Sequence, residues 1–295
     1  MQSKSSMHLR RLIITAMFIS IYLVVRQFFS FYIPLFGETG MRIGVATTFS
    51  ILPAFLFGPI WGAIATGSAD VLGHIMRPID AYLPHMTVTA ALRGFICGLL
   101  WLLLRKCSPG KIRIFILILA LILALFGVAN WFMLRSNGIT PNFYYNIVGG
   151  EIDTSGMFFI SEWLITRTQG VSNPGAMLSE MITVFTWGLI GAGGFGFVLF
   201  IVDSFLSTKL KVDYKEYNSI MPLLLAMLIS AWLQNSLNTI ILRETIAPAW
   251  KLLPFVVVWL PRIIVATIAA TLHSYFVAFL LGIIRMQKSL SSFTK

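Results

Sequence analysis

Six stretches of this chain run apolar for about 20 residues or more, the length of helix that crosses a bilayer core of roughly 30 Å at about 1.5 Å per residue. They lie at 11–33, 86–104, 113–134, 181–206, 219–242 and 255–284. In lipid the backbone has no water to bond to, so each stretch must close its hydrogen bonds internally as a helix. The expected fold class is therefore all-α, a polytopic membrane helix bundle. Charged residues make up 11% of the chain, too few to coat a soluble domain of any size, which would carry about 25%. The net charge of +11 would suggest nucleic acid in a soluble protein. Here the basic residues gather in short connections between apolar runs, as the positive-inside bias produces.

The segment 43–76 is too long for one ordinary span and short for two, and Gly58-Pro59 interrupts it. Loop charge decides between a kinked helix and a hairpin. With Lys4, Arg10 and Arg11 inside, a hairpin also places Arg105, Lys106, Lys111, Arg113, Lys209, Lys211, Lys215, Arg285, Lys288 and Lys295 on the cytoplasmic side. A single kinked span reverses everything downstream and leaves fewer basic residues inside, so the hairpin is preferred. About eight transmembrane helices result, with both termini cytoplasmic and the short arms buried against neighbours or served by local thinning. The first apolar run follows Arg10-Arg11 but exceeds a signal-peptide core and is read as a retained helix. The connection 136–180 is expected outside, with "MFFISEWLITR" as an interfacial helix. Cys97 and Cys107 have no motif partner, and neither a disulfide nor a metal site is expected.

Ionisable groups inside spans cost roughly 2.5–3.5 kcal/mol each at mid-helix and are functional candidates by default. On this topology Arg26, Asp70, Arg93, Arg262 and the group Gln234, Asn235 and Asn238 all fall in one layer, roughly 6–13 Å below the outer surface by helix rise. Three arginines against a single aspartate favour an anionic ligand, since arginine grips a carboxylate bidentately. Blander readings stand beside these. Arg26 can snorkel to the interface, Asp70 and Arg93 can form a structural ion pair, and Asn235 and Asn238 can tie helices together. His85, with His74, Tyr82 and Thr87, is read as a rim residue, and lone His273 as internally bonded. "GAGGFG", 191–196, has the dinucleotide-binding spacing but sits inside a span, where glycines serve close helix packing. No P-loop, H-E-x-x-H or G-x-S-x-G occurs. No catalytic residue, cofactor or enzyme activity is expected.

"MRIGVATTFSILPAFLFGPIWGAIATGSADVLG", "YLPHMTVTAALRGFICGLL", "LQNSLNTIIL" and "LPRIIVATI" follow in the order seen in the substrate-binding S components of energy-coupling factor transporters. The chain resembles that family, most closely its folate-type branch. The resemblance implies a six-helix vitamin-binding core at 1–110 and 217–295, a pocket on the outer side, a transmembrane coupling subunit and two cytoplasmic ATPases. It also implies that Ala16 and Ser20 occupy the small-residue face by which the first helix docks the coupling subunit. The segment 111–216, with two extra spans and the long outer connection, departs from the six-helix pattern as an insertion, and 136–180 is a candidate lid.

The expected function is an S component that captures a small anionic nutrient, a vitamin and folate-like by the resemblance, in a multi-pass cell-membrane protein. Arg93 and Arg262 are the leading ligand contacts, with Asp70 orienting an arginine or the ligand. An S component for another vitamin or a non-vitamin ligand remains open, as does a membrane-embedded enzyme using the same arginines on a lipid phosphate.

Overall fold

A computed structural model describes residues 4–35, 38–78, 81–136, 162, 174–209, 220–246, 250–251 and 255–286 of the protein. Eight helices are described: α1 (Lys4–Phe28), α2 (Thr47–Phe57), α3 (Pro59–Met76), α4 (Pro84–Leu104), α5 (Pro109–Ser136), α6 (Pro174–Lys209), α7 (Met221–Thr245) and α8 (Phe255–Met286). A proline opens α3, α4, α5 and α6 and stands second in α7, where its missing N–H costs nothing because that donor is an orphan in any helix. Six helices contain stretches long and apolar enough to cross a membrane: Ser6–Phe28, Pro84–Leu104, Gly110–Met133, Thr186–Phe205, Met221–Thr245 and Val258–Ile284. The protein is an all-α polytopic membrane bundle. The interfacial helix and lid expected within 136–180 lie outside the described residues, apart from Glu162 and the start of α6.

The Gly58-Pro59 break is a sharp turn. Gly58 has φ +94° and ψ −173°, a region essentially reserved for glycine. Its N–H closes α2 on Ala54 O at 3.2 Å, and its carbonyl opens α3 by accepting from Gly62 N at 3.0 Å. A Cβ added to Gly62 would lie 2.6 Å from the Ala54 Cβ. Eight residues of straight helix would hold those positions about 12 Å apart, so the arms fold back on each other. The first arm is shorter than expected, beginning at Thr47 rather than residue 43. Its 11 residues reach about 16 Å, too little to cross a bilayer unaided. It is buried instead, with Ile51, Leu52 and Ala54 fully enclosed.

Residues 30–44 hold an element that the sequence reading missed. β1 (Ser30–Leu35) and β2 (Glu38–Gly44) form an antiparallel pair with Ser30 opposite Gly44, Tyr32 opposite Arg42 and Leu35 opposite Glu38. The register slips between Ile33 and Leu35, at Pro34, which has no N–H to give the ladder. The first helix accordingly stops at Phe28, short of residue 33.

The chain divides into two compact units. One comprises Met1–Pro109, Lys215–Ala247 and Val265–Lys295, and the other Gly110–Tyr214 and Pro248–Ile264. In the first unit α1 packs on α2 and α3, α2 on α3 and α4, α3 on α4, and α4 on α7. In the second, α5 and α6 run antiparallel at close range. Gly127 lies against Ile190, Gly193 against Ala124 and the Ala120 carbonyl, and Gly196 against the Ala120 methyl. Two glycines of "GAGGFG" therefore do what the sequence suggested and let helices touch. Gly191 and Gly194 face open space.

Candidate ligand-binding site

α4 is the hub of the polar layer in the first unit, because it presents two different faces. One face meets α3. Thr87 Oγ1 donates to Asp70 Oδ2 at 2.8 Å, an added Cβ on Gly67 would lie 3.2 Å from Ala91, and Gly94 lies against the Gly62 carbonyl and Thr66. Gly98 lies against Pro59. The other face meets α7 in a ladder. Thr89 donates to Asn238 Oδ1 and Arg93 Nη1 donates to Gln234 Oε1 at 3.1 Å. Each rung is one turn from the next on both helices, which fixes an antiparallel register.

At 100° per residue the two faces of α4 point about 130° apart. This geometry accounts for a sequence expectation that fails: Asp70 and Arg93 do not form an ion pair. Asp70 belongs to the α3 face and Arg93 to the α7 face. The salt bridge that does form, Arg113 with Asp203, involves neither residue. Thr87, Thr89 and Arg93 nevertheless occupy about 9 Å of α4, so α3, α4 and α7 bring polar groups to one short stretch of the first unit.

Arg26 does not snorkel. It is 8% exposed, donates from Nη1 to the Tyr22 hydroxyl at 3.1 Å and keeps its guanidinium 5.9 Å from the Tyr22 ring centroid. It lies directly on Gly73 of α3, in space that any Cβ there would invade. Asp70 precedes Gly73 by less than a turn, so α1 also reaches the layer. Asn235 is buried and spends its side-chain N–H on Ala231 O of its own helix at 2.9 Å. His85 is exposed at the start of α4, while the His74 and Tyr82 rings stand 5.2 Å apart. His273 is internally bonded as expected, its Nε2 lying 3.0 Å from the Gly44 carbonyl at the base of the strand pair. Ala16 and Ser20 both lie exposed on α1, and the Ser20 hydroxyl folds back onto Ala16 O at 3.0 Å.

Arg262 belongs to the second unit. It is 3% exposed, and its guanidinium lies 5.8 Å from the Trp250 ring centroid. Its Nε and Nη1 have no hydrogen-bond partner, and neither has the buried Trp250 Nε1. In the first unit Arg26 Nε and Arg93 Nε are likewise buried without partners. Buried donors in folded proteins are nearly always satisfied, so a set of orphan guanidinium N–H groups marks where an acceptor belongs. The sequence reading passed over Trp250, Thr89 and Gln234's specific partner. It also missed Asp203, although an acid inside an apolar run was the signal to use; Asp203 accepts from Arg113 of α5.

Residues 6–150 match the family model described as ECF-type riboflavin transporter, S component. This stretch, just under half of the chain, is similar to the S components of energy-coupling factor transporters and supports that assignment. Comparison with curated proteins and with solved structures returned no match. The protein is thus a multi-pass membrane transport component for a vitamin-type small molecule. The matched model carries the riboflavin description, and the folate-type affinity expected from the sequence gains no support from it. S components work within a transporter rather than catalysing a reaction.

Proposed function

We propose that this S component captures a small, anionic vitamin-type nutrient at the outer side of the membrane and delivers it through a coupling subunit driven by two ATPase chains. The observation that carries the anionic part of this reading is the orphaned guanidinium donors. Arg93, held by Gln234 through Nη1 alone, offers its remaining N–H groups to a ligand carboxylate or phosphate. Asn238 and Asp70 stand beside it on the two faces of α4. Arg262 is proposed as a ligand contact on its own evidence, the two unpartnered N–H groups next to Trp250. The basic connections support a topology with both termini in the cytoplasm.

The exposed α1 surface around Ala16 and Ser20 supports docking of the coupling subunit. With the Ser20 hydroxyl satisfied within the helix, that surface is small and effectively apolar, which permits close helix approach in lipid. The compact grouping of Gly110–Tyr214 supports reading 111–216 as an addition to a core of 1–110 and 217–295, with the family match running into it as far as residue 150.

The test is ligand capture by purified protein. Mass spectrometry identifies what copurifies, and Arg93→Ala and Arg262→Ala are each compared with the wild type by calorimetric titration of that molecule. A charge-assisted hydrogen bond contributes about 1.5–3 kcal/mol, so the variant whose arginine meets that molecule loses roughly 10- to 100-fold in affinity while keeping its melting temperature in detergent. Wild-type affinity in both variants defeats the anionic reading.

A further inference from the structure

Arg93 and Arg262 stand in different compact units, so their open donors need not meet the same molecule. Arg93 lies in the unit that holds α1, α3, α4 and α7, whereas Trp250 and Arg262 both fall in Pro248–Ile264, which groups with Gly110–Tyr214. The donors around Arg262 are concentrated. Arg262 is 3% exposed and Trp250 1%, with the guanidinium 5.8 Å from the indole ring centroid. Arg262 Nε, Arg262 Nη1 and Trp250 Nε1 all lack a hydrogen-bond partner. Guanidinium and indole nitrogens only donate, so neither residue can satisfy the other. The acceptor must come from outside the pair, and because the guanidinium keeps its charge, an anion fits best. Phosphate carries several acceptor oxygens on one centre and can meet separate donors together.

The setting indicates where a phosphate would come from. Arg262 is four residues inside the apolar window that begins at Val258, about 6 Å by helix rise, so its long side chain reaches the edge of the hydrocarbon. Tryptophan is enriched at that boundary. Beside Trp250, Lys251 is exposed, and the Phe255 and Trp259 rings stack at the start of α8 with centroids 6.3 Å apart. The apolar windows of α5 and α6 are only 22% and 17% buried, so these two helices of the unit present most of their surface to lipid. We infer that Trp250 and Arg262 form a phosphate-binding site in the second unit, separate from nutrient capture, with a membrane phospholipid as the source its surroundings favour. The inference goes beyond the S-component reading, since it concerns a molecule that is held rather than carried. Enclosed donors also exclude competing water, so the phosphate survives purification.

The test uses the full-length protein in dodecyl maltoside, a detergent without phosphorus. Native mass spectrometry compares the phospholipid retained by the wild type, Trp250→Phe and Arg262→Gln. Phe keeps an aromatic ring and removes the N–H; Gln removes the charge. After delipidation, dioleoyl phosphatidylglycerol, dioleoylglycerol and inorganic phosphate are each titrated back, with bound mass and melting temperature as readouts. The wild type should bind phosphatidylglycerol but not dioleoylglycerol, which lacks the phosphate. Affinity should fall roughly 10- to 100-fold in each variant and stay at the wild-type level in Arg93→Ala. Binding of inorganic phosphate with the same dependence on Trp250 and Arg262 upholds the site and makes the free anion its source. Trp250→Phe should leave capture of the copurified nutrient unchanged. No phosphate-dependent binding, equal binding in both variants, or an equal loss in Arg93→Ala overturns the inference. Weakened nutrient capture in Trp250→Phe also overturns it, by assigning these donors to the nutrient, and leaves the S-component reading standing.

Discussion

Gly73 and Arg26 form a pair in which one residue exists to make room for the other. The guanidinium occupies the space a Cβ would take, so Gly73→Val must expel it from its place over Tyr22. If Arg26 matters only as packing, Gly73→Val lowers the melting temperature and leaves ligand affinity alone; if Arg26 holds an anion, affinity falls together with that of Arg26→Ala. The expectation is the second, because Arg26 Nε is buried without a partner. Titration of both variants with the copurified ligand decides it. Arg26, Asp70 and Arg93 were visible in the sequence because an ionisable group inside an apolar run is expensive wherever it points. Their partners were not visible. Whether Arg93 meets Asp70 or Gln234 depends on which neighbour each face of α4 contacts, and periodicity gives the faces without naming the neighbours.

Among elements, α3 and α4 approach so closely that glycines are required. A Cβ on Gly94 would overlap both the Gly62 carbonyl oxygen and the Thr66 hydroxyl, and one on Gly98 would lie 2.7 Å from Pro59 Cα. The Gly62 and Pro59 obstacles are backbone atoms that cannot swing aside. Gly94→Val therefore separates the helices and carries the Thr87–Asp70 bond with it; little folded protein should survive detergent extraction, judged by size-exclusion chromatography. Gly282→Ala, where nothing lies within 4 Å, is the control and should extract as wild type. In the second unit, removing Arg113 strands Asp203 inside α6, at a cost of about 3–5 kcal/mol for a buried charge left alone. Arg113→Leu should therefore destabilise more than Arg113→Leu combined with Asp203→Leu, a ranking that thermal unfolding in detergent can check. The α2–α3 turn was legible because Gly-Pro has few conformational options and loop charge counted against a kink. The β1–β2 pair was not, since its first strand is itself apolar and follows a long apolar helix closely enough to read as that helix's continuation.

At the scale of the whole molecule, capture and transport are separable. Ala16→Trp places a large ring on the exposed α1 surface, far in sequence from Arg93, Asp70 and Arg262. Ligand titration should match the wild type, while uptake into cells or proteoliposomes containing the coupling and ATPase subunits should disappear; loss of both would signal misfolding instead. The membrane class was legible for a simple reason. Bilayer thickness sets a length scale that sequence alone can meet or miss, and six helices meet it. The grouping of Pro248–Ile264 with Gly110–Tyr214 was not legible, because no local pattern announces that a unit boundary falls at Ile264, inside α8.

The α4–α7 ladder also sets a clock. Arg93 and Gln234 are separated by 141 residues, so the arginine leaves the ribosome long before its partner exists. At about 5–20 residues per second, roughly 7–28 seconds pass before Gln234 is made. For that interval the nascent bundle carries a guanidinium and a threonine hydroxyl on a helix face with nothing opposite. Water, lipid headgroups or the insertion machinery must satisfy them until α7 arrives and drives the temporary partners out.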